Sequence, residues 1–306
     1  MSNIGIATNE YAAINSSLPL YRLLALDMDG TLLNAKKIIT PQVHEALESY
    51  IRKGGRATIA SGRFPASVWL HARAAKLNTP CVALNGAIIL DETTGELMQG
   101  VALSQKSLLK LIHFTEQLGA YIQLYGYNKL YVPELNERNS AWPMANVVVS
   151  PNKELTEENY ADQTRHIEVI PVGDLSTFIS SIQCIELPVY KATVISDNPE
   201  LIDELLFMLE GIHEYTLTKT GRHRFDVNAL GVSKRSALQQ LCRQLQITHN
   251  EVAAVGDYDN DAEMLSWAGL GVAMGNAEPH VKEIADVITA SNENDGVAQA
   301  IMNHLL

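Results

Sequence analysis

The chain has 306 residues, 46% of them apolar, and a formal charge of −12 from 35 acidic and 23 basic side chains. That length buries one large core, or a core and a smaller appended domain. The acidic balance excludes a nucleic-acid partner, which would call for clustered Lys and Arg, and no apolar run reaches the roughly 18 residues of a membrane span.

Residues 1–20, rich in Asn, Ser and Ala, lack the basic start and long apolar stretch of a signal peptide and read as an N-terminal extension. Cys81, Cys184 and Cys242 stand far apart in apolar surroundings with no CxxC spacing, the pattern of reduced core thiols in a cytoplasmic protein. From residue 21 onward, short apolar runs alternate with amphipathic helical patterns. This predicts an α/β fold with a Rossmann-like parallel sheet flanked by helices.

The first strand, 23–26, delivers Asp27 and Asp29 into a turn at Gly30. Side chains alternate along a strand, so the two acids start on the same side, where they can share a cation. Thr40 is placed to cap a helix with Pro41 in its first turn, an apolar face of Val43, Leu47, Tyr50 and Ile51, and Gly54-Gly55 at its end. A second strand, 57–60, runs into Ser61-Gly62-Arg63, and a third, 80–84, into Asn85-Gly86.

From about 90 to 227 the texture changes. Alternating strands at 120–124 and 130–132, a polar stretch at 151–165 and a helix at 199–209 carry no acidic strand ends and read as an inserted domain. Lys234 then opens a helix whose apolar face is Ala237, Leu238, Leu241 and Leu245. Lysine is unhelpful to the dipole at a helix start, so it is either an ordinary solvated side chain or one with a task. Strand 252–255 ends at Gly256-Asp257, 270–274 at Gly275-Asn276 and 287–288 at Thr289. Open α/β sheets bind ligands beyond the C-terminal ends of their strands, so one site is expected to collect these ends.

The richest of them, Gly256-Asp257-Tyr258-Asp259-Asn260-Asp261, precedes a helix with Met264, Leu265 and Ala268 on its apolar side. Its hard oxygens suit Mg²⁺. The alternating acids also mimic an EF-hand, but Ala262 and Ala268 stand where that loop needs Gly and Glu. A plain acidic helix N-terminus is the other reading.

In their order, DMDGTLL at 27–33, ASGR at 60–63, GVSKRSAL at 231–238 and GDYDND at 256–261 resemble the four motifs of the haloacid dehalogenase superfamily of phosphatases. The closest likeness is to its Cof-type, sugar-phosphatase-like branch with a large α/β cap. It extends over residues 21–306, through GVAMGNA at 271–277, ADVIT at 285–289 and NDGVA at 294–298.

The resemblance implies a catalytic core of residues 21–88 and 228–306, and a cap of residues 89–227 that closes over the site and selects the leaving group. It implies Asp27 as the nucleophile that forms an aspartyl-phosphate, and Asp29 as general acid, then base. Mg²⁺ would be held by Asp27, Asp257 and the backbone carbonyl of Asp29, with Asn260 and Asp261 supporting it directly or through water. Ser61 and Lys234 would bind phosphoryl oxygens. Gly62, Arg63 and Asn85 match substrate-facing positions.

Two departures stand out: Ser61 where Thr is frequent, which keeps the hydroxyl, and Arg235 after Lys234 where Gly is common, which adds charge near the site or points into solvent. Arg222, His223 and Arg224 are either an exposed hairpin rim or a cluster for a second anionic group. The expected activity is hydrolysis of small phosphorylated metabolites, sugar phosphates foremost. The alternatives are a phosphomutase sharing the intermediate and a non-catalytic sensor of a phosphorylated ligand, which would be expected to have lost an acid that this chain keeps. A dinucleotide oxidoreductase is disfavoured, because no GxGxxG follows the first strand.

Overall fold

The computed structural model describes residues 19–140, 166–181 and 186–306. The polar stretch 151–165, Cys184 and residues 1–18 of the extension lie outside them.

β1 (Leu23–Leu26) is apolar throughout and fully buried, as expected of a parallel strand covered on both faces. α1 (Pro41–Arg52) begins at the anticipated cap, where Thr40 Oγ1 accepts from the Val43 N–H at 3.3 Å and donates to Asp295 Oδ1 at 2.5 Å. β2 (Arg56–Ile59), α2 (Pro65–Ala74) and β3 (Cys81–Ala83) follow. β3 stops short of the apolar run because Leu84, Asn85 and Gly86 all take positive φ, at 49°, 60° and 103°. That turn leads into β4 (Ile88–Leu90) and β5 (Leu97–Gly100), which continue an antiparallel ribbon from β3.

The middle of the chain supplies α3 (Gln105–Gln117), β6 (Tyr121–Gly126), β7 (Lys129–Val132), β8 (Glu168–Pro171), α4 (Leu175–Ser181), β9 (Lys191–Ile195), α5 (Pro199–Glu210), β10 (Tyr215–Lys219) and β11 (Arg224–Ala229). Its six strands lie in the order β10-β11-β9-β6-β7-β8, antiparallel except for β7 against β8. Ile122, Leu124, Ala192, Val194, Phe225 and Val227 share one core with Leu108, Ile112, Ile202 and Leu205 of the helices. The alternate positions, Gln123, Tyr125, Lys191, Thr193, Asp226 and Asn228, fall on the opposite face and are also buried. Phe64 of the neighbouring core stacks on Tyr125 with ring centroids 4.9 Å apart, so this face is turned toward the parallel sheet.

The return segment carries α6 (Lys234–Leu245), β12 (Val252–Gly256), α7 (Ala262–Trp267), β13 (Leu270–Ala273), α8 (Pro279–Ile284), β14 (Val287–Ile288) and α9 (Gly296–His304). Ala268, expected on the face of α7, is the extended residue that ends it. The core sheet is parallel, in the order β14-β13-β12-β1-β2, and a bridge from Ala60 to Val82 carries it on to β3. Helix α1 packs on α9, and α6 on α7. Because β12, β1 and β2 are neighbours, Asp257, Asp27 and Ser61 emerge side by side. Among the described residues no helix is long and apolar enough to cross a membrane, and Cys81 and Cys242 are buried free thiols.

Gly86 joins the two halves of the core. A Cβ there would meet the Ser233 carbonyl oxygen, at the start of α6, at 2.1 Å. Gly86→Ala is therefore expected to lower stability by on the order of 2 kcal/mol from strain alone, and to weaken catalysis by shifting α6. Calorimetric melting checks it, and an unchanged melting temperature would contradict the close approach.

Candidate active site

Asp27 leaves β1 with 6% of its surface exposed, and β12 brings Asp257 alongside. Thr31 Oγ1 donates to Asp257 Oδ1 at 3.0 Å, and Asn276, just past β13, donates Nδ2 to the Gly30 carbonyl at 2.8 Å. Gly30 has φ +79°, and a Cβ on it would stand 2.2 Å from Asp257 Oδ2. Glycine is what allows this carboxylate against the loop of Asp27.

Asp261, fully buried, ties its own loop together: Oδ2 accepts from the Asp257 and Tyr258 N–H groups at 3.0 and 3.1 Å. Its Oδ1 faces Lys234 Nζ at 2.6 Å, and Lys234 Nζ lies 2.6 Å from Asp27 Oδ1. Burial alone would lower the pKa of Lys234, but Asp261 and Asp27 outweigh it and hold the ammonium above the usual lysine range. The lysine that fits poorly at a helix start thus has two carboxylates as its reason.

Oxygens of Asp27, Asp257 and Asp261 all come within 4.8 Å of one another. Three carboxylates against one ammonium leave negative charge in excess. Burial and then Asp261 push the Asp257 carboxyl up to about 7, and the same causes hold Asp27 well above the ordinary carboxylate value. A set of hard oxygens short of positive charge is one that a divalent cation fits. Asn260 lines the same cavity, and its Nδ2 donates to Asn85 Oδ1 at 3.4 Å.

Asp29 has the opposite surroundings. Arg63 grips it with Nε to Oδ2 and Nη2 to Oδ1, both at 2.6 Å, and Lys37 Nζ reaches Oδ1 at 2.6 Å. Desolvation works against ionisation, but the Arg63 guanidinium and then Lys37 hold this carboxyl well below the usual range. Ser61, 2% exposed, accepts from the Arg63 N–H at 3.2 Å. Among the described residues its hydroxyl donates to no acceptor, which leaves that proton for a ligand.

Asp27, Asp29, Ser61, Arg63, Asp257 and Asn260 open onto a cavity of about 250 Å³. Asp27, Asp29, Ser61, Gly62, Arg63, Asn85 and Asp257 form its core side, and Lys191, Thr220, Arg224 and Asp226 come from the region of the six-stranded sheet. The structure therefore brings together Asp27, Asp29, Ser61, Lys234, Asp257, Asn260, Asp261, Gly62, Arg63 and Asn85. Arg222 and His223 are exposed, while Arg224 lines the cavity. Arg235 is exposed and is not among the residues that line the cavity.

Sequence reasoning missed Lys37, Lys191 and Asp226. For the latter two a signal existed: Lys-Ala-Thr-Val at 191–194 and Arg-Phe-Asp-Val-Asn at 224–228 alternate polar with apolar, and the polar set is the face toward the site.

The sequence matches the haloacid dehalogenase-like hydrolases over residues 24–301. The chain belongs to that family. Phosphatase YwpJ of Bacillus subtilis (strain 168) is 30% identical over 295 residues, 93% of this chain and 100% of that one. The 5-amino-6-(5-phospho-D-ribitylamino)uracil phosphatase YcsE of the same organism is 30% identical over 286 residues, 93% and 96% of the two chains. A solved haloacid dehalogenase-like hydrolase from B. subtilis has a TM-score of 0.79 at 28% identity and covers 93% of this chain and 100% of its own. This haloacid dehalogenase-like hydrolase is a phosphatase, and its substrate is a phosphorylated small molecule.

The pairing of Asp29 has a pH signature. Its carboxyl titrates lower in the fold than the ordinary 3.8, so its stabilisation is present above that pH and lost as pH falls below it. Asp29→Asn should lower stability at pH 7 by up to about 1 kcal/mol, given that the Asp29 side chain is 44% exposed and screened by solvent although Arg63 is buried, and the deficit should shrink toward pH 3. Urea unfolding at both pH values checks this, and an equal deficit at both would contradict it.

Proposed function

We propose that the chain is a Mg²⁺-dependent, cytoplasmic phosphomonoester phosphatase that hydrolyses small phosphorylated metabolites, sugar phosphates foremost, through an aspartyl-phosphate on Asp27. The observation that carries this reading is the position of Asp27, at the buried end of the cavity between Lys234 and the Asp257 carboxylate.

Asp27 Oδ attacks phosphorus, and the bond to the leaving oxygen breaks; water then attacks the same phosphorus and returns Asp27. Lys234 and the Ser61 hydroxyl neutralise and orient phosphoryl oxygens. Asp29 protonates the leaving oxygen and then takes the proton of the attacking water. As Arg63 and Lys37 hold it, Asp29 is the carboxylate, the form needed for the second task; for the first it must take up a proton from solvent before the bond to the leaving oxygen breaks. Mg²⁺ would be held by Asp27, Asp257 and the Asp29 carbonyl, with Asn260 and Asp261 around it, and would supply positive charge that relieves repulsion between nucleophile and phosphate.

Gly62, Arg63 and Asn85 face the substrate from the core side. Sugar phosphates are favoured because the far wall is polar, with Lys191, Thr220, Arg224 and Asp226, and because about 250 Å³ is small. The relative YcsE is named for a phosphoribityl compound, a polyol phosphate of that kind. The cytoplasmic assignment rests on the buried free thiols Cys81 and Cys242.

Inorganic phosphate released from a panel of phosphorylated sugars, nucleotides and cofactors tests the proposal. Release should require Mg²⁺, stop with chelator, and fall by about a thousandfold or more in Asp27→Asn, as for loss of a nucleophile. Transfer of the phosphate to a second sugar position without release would instead mark a mutase, and ligand binding without turnover a sensor.

Proton competition gives a second test. Asp257 is held up to about 7, so below that pH Mg²⁺ must displace a proton. Mg²⁺ affinity measured by calorimetry should weaken as pH falls from 8 to 6, by up to about tenfold per unit below 7. A flat profile would remove Asp257 from the ligands.

A further inference from the structure

A buried polar joint links the six-stranded sheet to the two loops that carry Ser61 and Asn85. Lys191 of β9 and Asp226 of β11 are 4% and 5% exposed, and Lys191 Nζ lies 2.9 Å from Asp226 Oδ2. Thr193, the partner of Asp226 in register, donates Oγ1 to Asp226 Oδ1 at 2.7 Å. Neither charged group stops at the other. Lys191 Nζ also donates to the Gly62 carbonyl at 3.0 Å, and Asp226 Oδ2 also accepts from Asn85 Nδ2 at 2.9 Å. Farther along β11, Asn228 Nδ2 donates to the Leu84 carbonyl at 3.0 Å.

The loops at the other end have little slack. The Asn85 N–H donates to the Ser61 carbonyl at 3.0 Å, and the Leu84 N–H to the Arg63 carbonyl at 3.0 Å. A Cβ on Gly62 would stand 2.6 Å from Asn85 Oδ1. The position of the Ser61 hydroxyl is therefore mechanically tied to Lys191 and Asp226. As a stabilising device the pair is a poor choice, since the cost of burying two charges roughly offsets their attraction, and apolar side chains of similar size serve as well or better. What apolar side chains lack is a donor for the Gly62 carbonyl and an acceptor for the Asn85 amide.

We propose that Lys191 and Asp226 are positioning residues for phosphoryl transfer: by fixing Gly62 and Asn85 they set Ser61 and Arg63 against the reacting phosphoryl group. The inference rests on the reading of Ser61 as a phosphate ligand. It makes the inserted domain part of the phosphate cradle as well as its cover.

The test compares Asp226→Asn, Lys191→Met and the double variant Lys191→Met/Asp226→Leu, which restores an uncharged joint. Each is measured for kcat, KM, inhibition by orthovanadate in Mg²⁺, and melting temperature. Both single variants should lose about tenfold to a hundredfold in kcat, in line with a small misplacement of reacting groups, and a similar factor in vanadate affinity. The double variant should melt at or above the single ones while staying equally poor in both. Two outcomes overturn the proposal: single variants that melt lower yet keep wild-type kcat and vanadate affinity, or a double variant that regains both with its stability. Ser61→Ala separates the two readings. If it leaves kcat and vanadate affinity unchanged, the assignment of Ser61 fails, and the positioning role fails with it; if it lowers both while the joint variants do not, only the positioning role fails.

Discussion

The active centre depends on one buried ammonium. Lys234 opens α6, where the helix dipole repels a cation, and it is 1% exposed, where an unpaired charge is expensive. Both costs are met by two carboxylates at 2.6 Å, Asp27 from β1 and Asp261 from the loop after β12. Asp261 can stand there only because the N–H groups of Asp257 and Tyr258 hold its other oxygen. The start of α6 is fixed in turn by a capping box between Ser233 and Ser236 and by the absence of a side chain on Gly86. A strand end, a helix start and a tight turn from distant parts of the sequence therefore stand or fall together.

That arrangement also divides the labour of two neighbouring acids. Asp27 and Asp29 are two positions apart in the loop that follows β1, yet Asp27 is raised by burial and by Asp261, whereas Asp29 is lowered by Arg63 and Lys37. Environments that push paired carboxyls in opposite directions mark different roles for them. The excess of negative charge beside Asp27 is what a cation would balance, and of the two cations on Asp29, Arg63 lines the cavity. The turn after β1 thus carries excess negative charge on the side of Asp27 and excess positive charge around Asp29.

Much of this was legible because it sits at element ends. The apolar strands, the Thr40 cap, and the Asp, Ser and Asn residues at the C-terminal ends of β1, β2, β3 and β12 carry local signals that survive without any knowledge of packing. Lys37 carries none: it is a loop residue with φ +60° whose turn aims it at Asp29. Lys191 and Asp226 sit inside strands, where the alternation of β9 and β11 tells which residues share a face but not which face looks at the core. The fact that decides their role is the packing of one sheet on the loops of another. β3 misled for a related reason: Leu84 looks like strand but takes φ 49°, a strained turn held by the hydrogen bond from its N–H to the Arg63 carbonyl.

The inward face of the six-stranded sheet is built of buried polar side chains. An ordinary packed face would be apolar, and its opposite face is. Here Gln123, Thr193, Asp226 and Asn228 are buried, and each makes hydrogen bonds. Substituting Lys191 or Asp226 would leave buried partners unsatisfied at the Gly62 carbonyl and the Asn85 amide, so the change would reach the loops that carry Ser61 and Asn85. Thr220 and Tyr258 line the same cavity and take no part in the bonds that Lys191 and Asp226 make to the Gly62 and Asn85 loops. On the positioning role proposed for Lys191 and Asp226, the joint is the part of the wall that cannot change with the substrate.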